Sequence, residues 1–173
     1  MTVAAHTIDY SIGECDLGYL LLGIDDQGVC AVFFADQRQQ LIDELMQSFP
    51  LANISQQEEK LQKPLATLLQ CIENPQLLLS MPLSFHGTDF QRAVWAKLQA
   101  IPLGETVDYA NIAASLNKPK AYRAVASACA ANKLAVIVPC HRVIRKNGQP
   151  ANYRWGLWRK QALLAQERKL LAK

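Results

Sequence analysis

The sequence has no Cys-x-x-Cys pair, only three histidines (His6, His86 and His141), and no apolar run long enough to cross a bilayer. The missing cysteine spacing removes the usual frames of a zinc finger or ribbon, although a metal in the N-terminal half stays open. No secretory leader pattern opens the chain, so its five scattered cysteines are expected to be reduced thiols of a cytoplasmic protein. Charged residues make up 19% of the chain and hydrophobic ones 50%, a balance that excludes an intrinsically disordered polypeptide. Internal repeats and low-complexity tracts are also lacking.

A chain of 173 residues suffices for one good domain or two small ones. Its net charge of +3 neither requires nor excludes nucleic acid as a partner, so placement matters more than the total. Only Arg38, Lys60 and Lys63 carry positive charge before Phe85, and the acids are concentrated in that same half. The asymmetry suggests an acidic scaffold joined to a half that meets something anionic; a basic C-terminal helix alone explains part of it.

The first half reads as a small α/β unit. "YLLLGIDDQGVCAVFFAD" predicts two strands around an Asp-Asp-Gln-Gly turn. "RQQLIDELMQSF" places Leu41, Ile42, Leu45, Met46 and Phe49 on one helical face before Pro50. "EEKLQKPLATLLQCIEN" predicts a second helix with Pro64 near its start, and "LLLSMPLSF" a returning strand. Cys15, Cys30 and Cys71 lie in these apolar settings and are expected to be buried structural thiols.

A seam is expected between Ser80 and Gly87, giving domains 1–84 and 85–173. Beyond it, "TDFQRAVWAKLQAIP" predicts a helix capped by Thr88, with Phe90, Val94, Leu98 and Ile101 inward. "YANIAASL" follows as a short helix capped by Asp108, and Asn117-Lys118-Pro119 breaks the chain before another, with Pro119 in its first turn. Two helices so closely joined suggest a helix-turn-helix, though an ordinary helical corner gives the same pattern. The closing "GLWRKQALLAQERKLLAK" predicts a helix with Leu157, Ala162, Leu163 and Leu164 inward and a basic outer face.

The helix "AYRAVASACAAN" offers mostly Ala and Ser, with Arg123 as its one long cation. Major-groove readers carry several Arg, Asn or Gln side chains. Small residues instead let a backbone approach a narrow surface, with a lone Arg free to enter a base stack; plain helix packing is the competing explanation. Downstream, Pro139 ends the apolar "LAVIV", taken as a strand, and Cys140, His141 and Arg142 follow. A thiol works as a nucleophile only as the thiolate, so it needs a base or a positive field beside it. Neighbours on a regular strand point to opposite faces, but a turn at Pro139 lets Cys140 and His141 share one site.

"PCHRV", preceded by "KAYRAVASACAANKLAVIV" and followed by "YRWG", resembles the O6-methylguanine-DNA methyltransferases, the methylated-DNA–protein-cysteine methyltransferase family. Within it, the methyltransferase domain of bacterial Ada proteins is the nearest likeness. The resemblance implies a ribonuclease H-like α/β N-terminal unit and a mainly helical C-terminal domain with a helix-turn-helix. It implies single-turnover transfer of the alkyl group from O6 of guanine, or O4 of thymine, in double-stranded DNA to Cys140. No metal or organic cofactor, and no membrane, is implied, and a monomer is expected. His141, oriented by Glu167, would activate the thiol through a water; Asn132 would support the reactive turn; Tyr109 would donate a proton to the base. Arg123 would replace a base flipped out from the minor groove, Asn152, Tyr153, Arg154 and Trp155 would line the pocket, and Lys118 and Lys146 would meet phosphates.

Three positions depart from the family pattern. Asp108 stands where members often have Ser, Asn152 where Ada-like members have Gly, and Trp155 where relatives that accept bulky adducts have Gly. Trp155 is therefore expected to favour methyl over benzyl adducts. The Cys-rich domain of full Ada proteins is missing, so phosphotriester repair is not expected. Competing readings are an alkyltransferase-like binder, against which Cys140 stands, a thiol hydrolase, for which no signature is present, and a transcription factor.

Overall fold

Alternation of Ile8, Tyr10 and Ile12 with polar residues builds a strand that the sequence reading passed over. In the computed structural model, which describes residues 6–149 and 151–172, Thr7–Cys15 is β1, with Ile8 and Tyr10 buried. It runs antiparallel to β2 (Gly18–Ile24), which runs antiparallel to β3 (Val29–Ala35). The expected turn Asp25-Asp26-Gln27-Gly28 joins β2 to β3, and Asp25 N donates to Gly28 O at 2.9 Å. A short polar strand, β4 (Asn53–Gln56), lies parallel to β1 and completes the order β3-β2-β1-β4. Helices α1 (Arg38–Ser48) and α2 (Gln62–Glu73) pack on this sheet.

Every residue of β3 is buried although it is an edge strand, because other segments cover it. Part of that cover is the stretch expected to be a returning strand. "LLLSMPLSF" forms no strand: Leu77 and Leu78 are exposed, and a single bridge joins Leu83 to Val29. Val29 N donates to Pro82 O and Ser84 N to Val29 O, and Pro82 has no N–H with which to extend a ladder. Met46 is likewise exposed where the helical pattern turned it inward, and Cys15 and Cys71 are only half-buried; Cys30 alone of the first three cysteines is buried.

The chain divides into two compact units between His86 and Gly87, two residues beyond the expected boundary. The second unit opens with α3 (Asp89–Gln99), where Thr88 and Gln91 form a reciprocal cap. Val94, Trp95 and Leu98 are buried, and the Trp95 indole donates to Ala128 O at 2.8 Å. Next come β5 (Val107–Asp108), α4 (Tyr109–Ser115) and α5 (Tyr122–Ala130). Asp108 caps α4 through Asn111 N at 2.7 Å, as expected. Pro119 is not in the first turn of α5. It lies in the connection, which is a turn of its own held by Lys118 N to Ala113 O and Ala121 N to Lys118 O.

Strand β6 (Val143–Ile144) pairs in parallel with β5, and α6 (Leu157–Leu171) closes the unit. Leu163 and Leu164 of α6 face inward, but Leu157 is exposed, and two of its cations, Arg159 and Lys160, are buried. Arg159 donates to Trp155 O and Lys160 to Val143 O, so these charges are bound by backbone oxygens rather than lying on an outer face. Among the described residues no helix is long and apolar enough to cross a membrane.

Gly28 has φ of +145°, and a Cβ there would sit 2.3 Å from Pro82 O. Gly28→Ala is expected to destabilise the first unit by roughly 2–3 kcal/mol, read as a lower urea midpoint. Leu78→Ser on the exposed stretch should leave that midpoint unchanged within about 0.5 kcal/mol.

Candidate active site around Cys140

Residues 134–138, expected as a strand, are folded into a tight turn by the Asn132 side chain. Its Oδ1 accepts from Leu134 N at 2.9 Å, and its Nδ2 donates to Val138 O at 3.0 Å and to Leu134 O at 3.3 Å. Within this turn Val136 has φ of +68°, a conformation that costs a β-branched residue about 1–3 kcal/mol. The same Nδ2 lies 3.3 Å from Cys140 Sγ, so one buried amide both shapes the turn and touches the thiol. Arg154 donates to Asn132 O at 2.8 Å and ties the 151–155 loop to it.

Pro139 then directs the chain into a single 3-10 turn, Cys140–Arg142. Both Cys140 and His141 are buried, the latter completely. Glu167, from the third turn of α6, takes His141 Nε2 at 2.7 Å on Oε1. Arg142 grips the same carboxylate through Nε and Nη2 at 2.9–3.1 Å, and its Nη1 reaches Ile101 O at 2.7 Å. Gly104 N adds a longer bond to Oε2 at 3.3 Å. Burial alone would raise the Glu167 carboxyl, but the bonds from His141 and Arg142 outweigh it and hold the group at about 2.

An ionised Glu167 is acceptor-only, so His141 donates from Nε2 and carries its lone pair on Nδ1. That Nδ1 is buried with no hydrogen-bond partner among the described residues. Burial also lowers the imidazole below its ordinary value, against the opposing pull of Glu167. The Cys140 thiol is pushed up by burial, partly countered by the Asn132 bond and the Lys160 and Arg154 charges. At rest Cys140 is therefore held as a neutral thiol and His141 as a neutral imidazole.

Cys140 opens into a cavity of about 440 Å³. Ala126, Ser127, Cys129 and Ala130 of α5 form one wall, Tyr109 and Arg145 another, and Ala151, Asn152, Tyr153 and Arg154 a third. Tyr109 is raised to about 12 by burial and by the Cys129 and Cys140 thiols, so its phenol keeps its proton. The Tyr153 hydroxyl is buried with no partner among the described residues, and its acidity too is suppressed by burial. Trp155, expected as a wall, is buried and does not line the cavity; its ring meets Tyr153 edge-to-face at 5.4 Å and lies under the Arg154 guanidinium at 5.3 Å, so it acts on the cavity through two of its lining residues.

The fold thus brings Cys140, His141, Glu167, Asn132, Tyr109, Asn152, Tyr153 and Arg154 to one place. Arg123, Lys118 and Lys146 are exposed and do not line the cavity, and Lys118 Nζ lies over the Phe90 ring at 5.3 Å. Sequence reasoning missed Arg142 as the second ligand of Glu167, Arg145 and Cys129 as lining residues, and Lys160 as a buried charge. Only Arg142 carried a usable signal, its place beside His141.

Acid should undo this network. Above pH 4.5 the ionised Glu167 contributes fully to stability; the contribution fades as the pH falls toward about 2. His141, favoured as the neutral form, has the same sign and begins to act as the pH drops below about 6.5, where the unfolded imidazole binds a proton first. The urea midpoint should be flat between about pH 7 and 8 and fall steadily below that range. Glu167→Gln should lose about 3 kcal/mol at pH 7, because Arg142 keeps a half-buried charge without its counterion, and should show a shallower acid slope.

Comparison with known proteins places this site in a family. The profile of 6-O-methylguanine DNA methyltransferase, DNA binding domain, matches residues 89–169. The bifunctional transcriptional activator/DNA repair enzyme Ada of Escherichia coli (strain K12) is 44% identical over 160 residues, covering 92% of this chain and 45% of that protein. The chain spans about half the length of the Ada proteins it matches. The inducible methylated-DNA–protein-cysteine methyltransferase of Bacillus subtilis (strain 168) is 38% identical over 140 residues, covering 79% of this chain and 78% of that one. The crystal structure of Mycobacterium tuberculosis OGT in complex with DNA superposes with a TM-score of 0.78, 30% identity and 93% of each chain covered. With that likeness over most of both chains, and with Cys140 at the mouth of a cavity backed by His141 and Glu167, the chain belongs to the methylated-DNA–protein-cysteine methyltransferase family.

Proposed function

We propose that the protein repairs alkylated DNA by direct transfer, moving the alkyl group from O6 of O6-methylguanine to Cys140, and from O4 of O4-methylthymine by the same chemistry. The observation that carries this reading is a buried thiol opening into a cavity, with a neutral imidazole beside it whose lone pair is uncommitted. His141 Nδ1 takes the Cys140 proton through a water, and Glu167 steadies the imidazolium. Sulfur attacks the alkyl carbon in line, the S–C bond forms as the C–O6 bond breaks, and the departing guanine takes a proton from Tyr109. His141 returns its proton to the tyrosine. The products are S-alkylcysteine and unmodified guanine; a thioether is a poor leaving group, so each molecule acts once and needs no cofactor.

The target base sits inside a duplex and must be turned out. Helices α4 and α5 act as a helix-turn-helix that enters the minor groove, and the Ala and Ser face of α5 lets it come close. Arg123, exposed on α5, fills the space of the extruded base. Lys118 and Lys146 are exposed and suit phosphate contacts. The first unit serves as scaffold, and the protein works as a cytoplasmic monomer. That Mycobacterium tuberculosis OGT was crystallised with DNA supports this choice of partner.

Incubation with a duplex carrying one O6-methylguanine should add one methylene per molecule, stop at one equivalent and fail in Cys140→Ala. No gain with the lesion still tightly bound would leave a damage-recognition protein with an idle thiol. Arg123→Ala should slow repair of the duplex by about tenfold to a hundredfold while sparing a short single strand, since only the duplex demands extrusion. Because Trp155 braces Tyr153, methyl should transfer faster than benzyl, and equal rates would remove Trp155 from the account of specificity.

A further inference from the structure

Arg145 carries a charge that the fold leaves uncommitted. It directly follows β6 as Tyr109 directly follows β5, and the two strands pair in parallel, Val107 with Val143 and Asp108 with Ile144. Paired strands lie about 4.8 Å apart, so residues in register are neighbours. The same register carried one residue further sets Arg145 beside Tyr109, and both line the cavity into which Cys140 opens. A turn beyond the strand fixes the backbone there: Arg145 N donates to Gln149 O at 3.0 Å and Gly148 N to Arg145 O at 2.8 Å. The guanidinium itself has no hydrogen-bond or ion-pair partner among the described residues.

Other cations close to the thiol are already engaged. Arg154 donates to Asn132 O at 2.8 Å and lies over the Trp155 ring, and Lys160 donates to Val143 O. Their charges act on the Cys140 thiol. Tyr109 has a different charge environment. Burial opposes its ionisation first, then Cys129 of α5 and Cys140 of the 3-10 turn; the charge that favours its anion is Arg145. The transfer proposed above makes that anion for a moment, on the same cavity where Cys140 has just been a thiolate. Two negative centres so close together need separate sources of positive charge.

We propose that Arg145 is a positioning residue for the alkyl transfer, its guanidinium set beside Tyr109 to stabilise the phenolate formed as that tyrosine protonates the leaving base. The inference rests on the transfer to Cys140 proposed above. In that step the S–C bond forms, the C–O6 bond breaks, and the Tyr109 hydroxyl proton passes to the guanine. The negative charge left on the tyrosine oxygen faces Arg145 until the proton held by His141 restores the phenol. Arg145 neither gains nor loses a proton, which suits a guanidinium because it stays charged throughout the pH range of a folded protein. In the free protein Arg145 is exposed, and water screens its charge. A base filling the cavity displaces that water and strengthens the attraction when the phenolate forms.

Single-turnover methyl transfer from a saturating O6-methylguanine duplex separates the chemical step from DNA affinity. Tyr109→Phe should slow that step by about a hundredfold. Arg145→Ala should slow it by about tenfold, the effect of one opposite charge on the acidity of a neighbouring group. Arg145→Lys keeps the charge and should recover most of the loss. In the Tyr109→Phe background, Arg145→Ala should change the rate by less than about twofold, because no phenolate remains to be stabilised. The bonds that hold the 145–149 turn come from the backbone and survive the substitution, and circular dichroism checks the fold. An Arg145→Ala variant that binds DNA more weakly but transfers at the wild-type rate once saturated would overturn the proposal in favour of a phosphate contact. Losses that simply multiply in the double variant, or no recovery with Lys, would also overturn it. Wild-type protein that transfers no methyl group would remove the reaction itself, and this inference with it.

Discussion

Glu167 reaches in from α6, and its one carboxylate accepts from His141 Nε2, from Nε and Nη2 of Arg142 and from the N–H of Gly104. The chemistry proposed for Cys140 depends on that convergence. An ionised acceptor at Nε2 settles the imidazole tautomer, and the tautomer places the basic lone pair on Nδ1. Arg142 offsets the charge that would otherwise be stranded, so the carboxylate stays ionised despite burial. Gly104 has φ of +82°, a left-handed backbone conformation that favours glycine, and this turn brings its N–H to the carboxylate.

The second constraint is the strained turn ahead of the thiol. A valine at positive φ persists only where its surroundings overdetermine it, and here Asn132 does so with bonds to both Leu134 and Val138. Because the same amide touches Cys140 Sγ, the position of the sulfur and the shape of the turn are not independent. A buried neutral thiol is also a selective one. It does not react with every electrophile in solution, as an exposed thiolate would, and in the reaction proposed above it becomes nucleophilic only when His141 accepts its proton.

Much of this was legible in the sequence where a local rule governs. Thr88 and Asp108 cap their helices because short polar side chains satisfy the first free N–H groups, and the Asp-Asp-Gln-Gly turn lies where the apolar runs break. Cys140, His141 and Glu167 were named through a family motif, whereas their hydrogen-bond geometry comes from the fold. The failures share a cause. "LAVIV" has strand propensity but is overridden by one side chain, Asn132, that no periodicity reveals. Lys160 and Arg159 read as solvent-facing charges, yet backbone oxygens of Val143 and Trp155 draw them inside. His6 and His86 are far from Asp25 in sequence, yet both imidazoles reach its carboxylate in the folded first unit.

The second unit separates its cations by task. Arg142, Arg159 and Lys160 are bound to a carboxylate or to carbonyl oxygens, and the Lys160 charge partly counters the rise of the Cys140 thiol. Arg123, Lys118 and Lys146 are exposed, with no backbone need that would hold them inward. A net charge of +3 conceals this division, because the buried cations answer to the protein's own dipoles and contribute little to an outside field. In the DNA contact proposed above, attraction for the polyanion comes from exposed cations such as Lys118, Arg123 and Lys146. The weak overall charge is therefore compatible with a DNA partner, since what a duplex meets is the exposed subset.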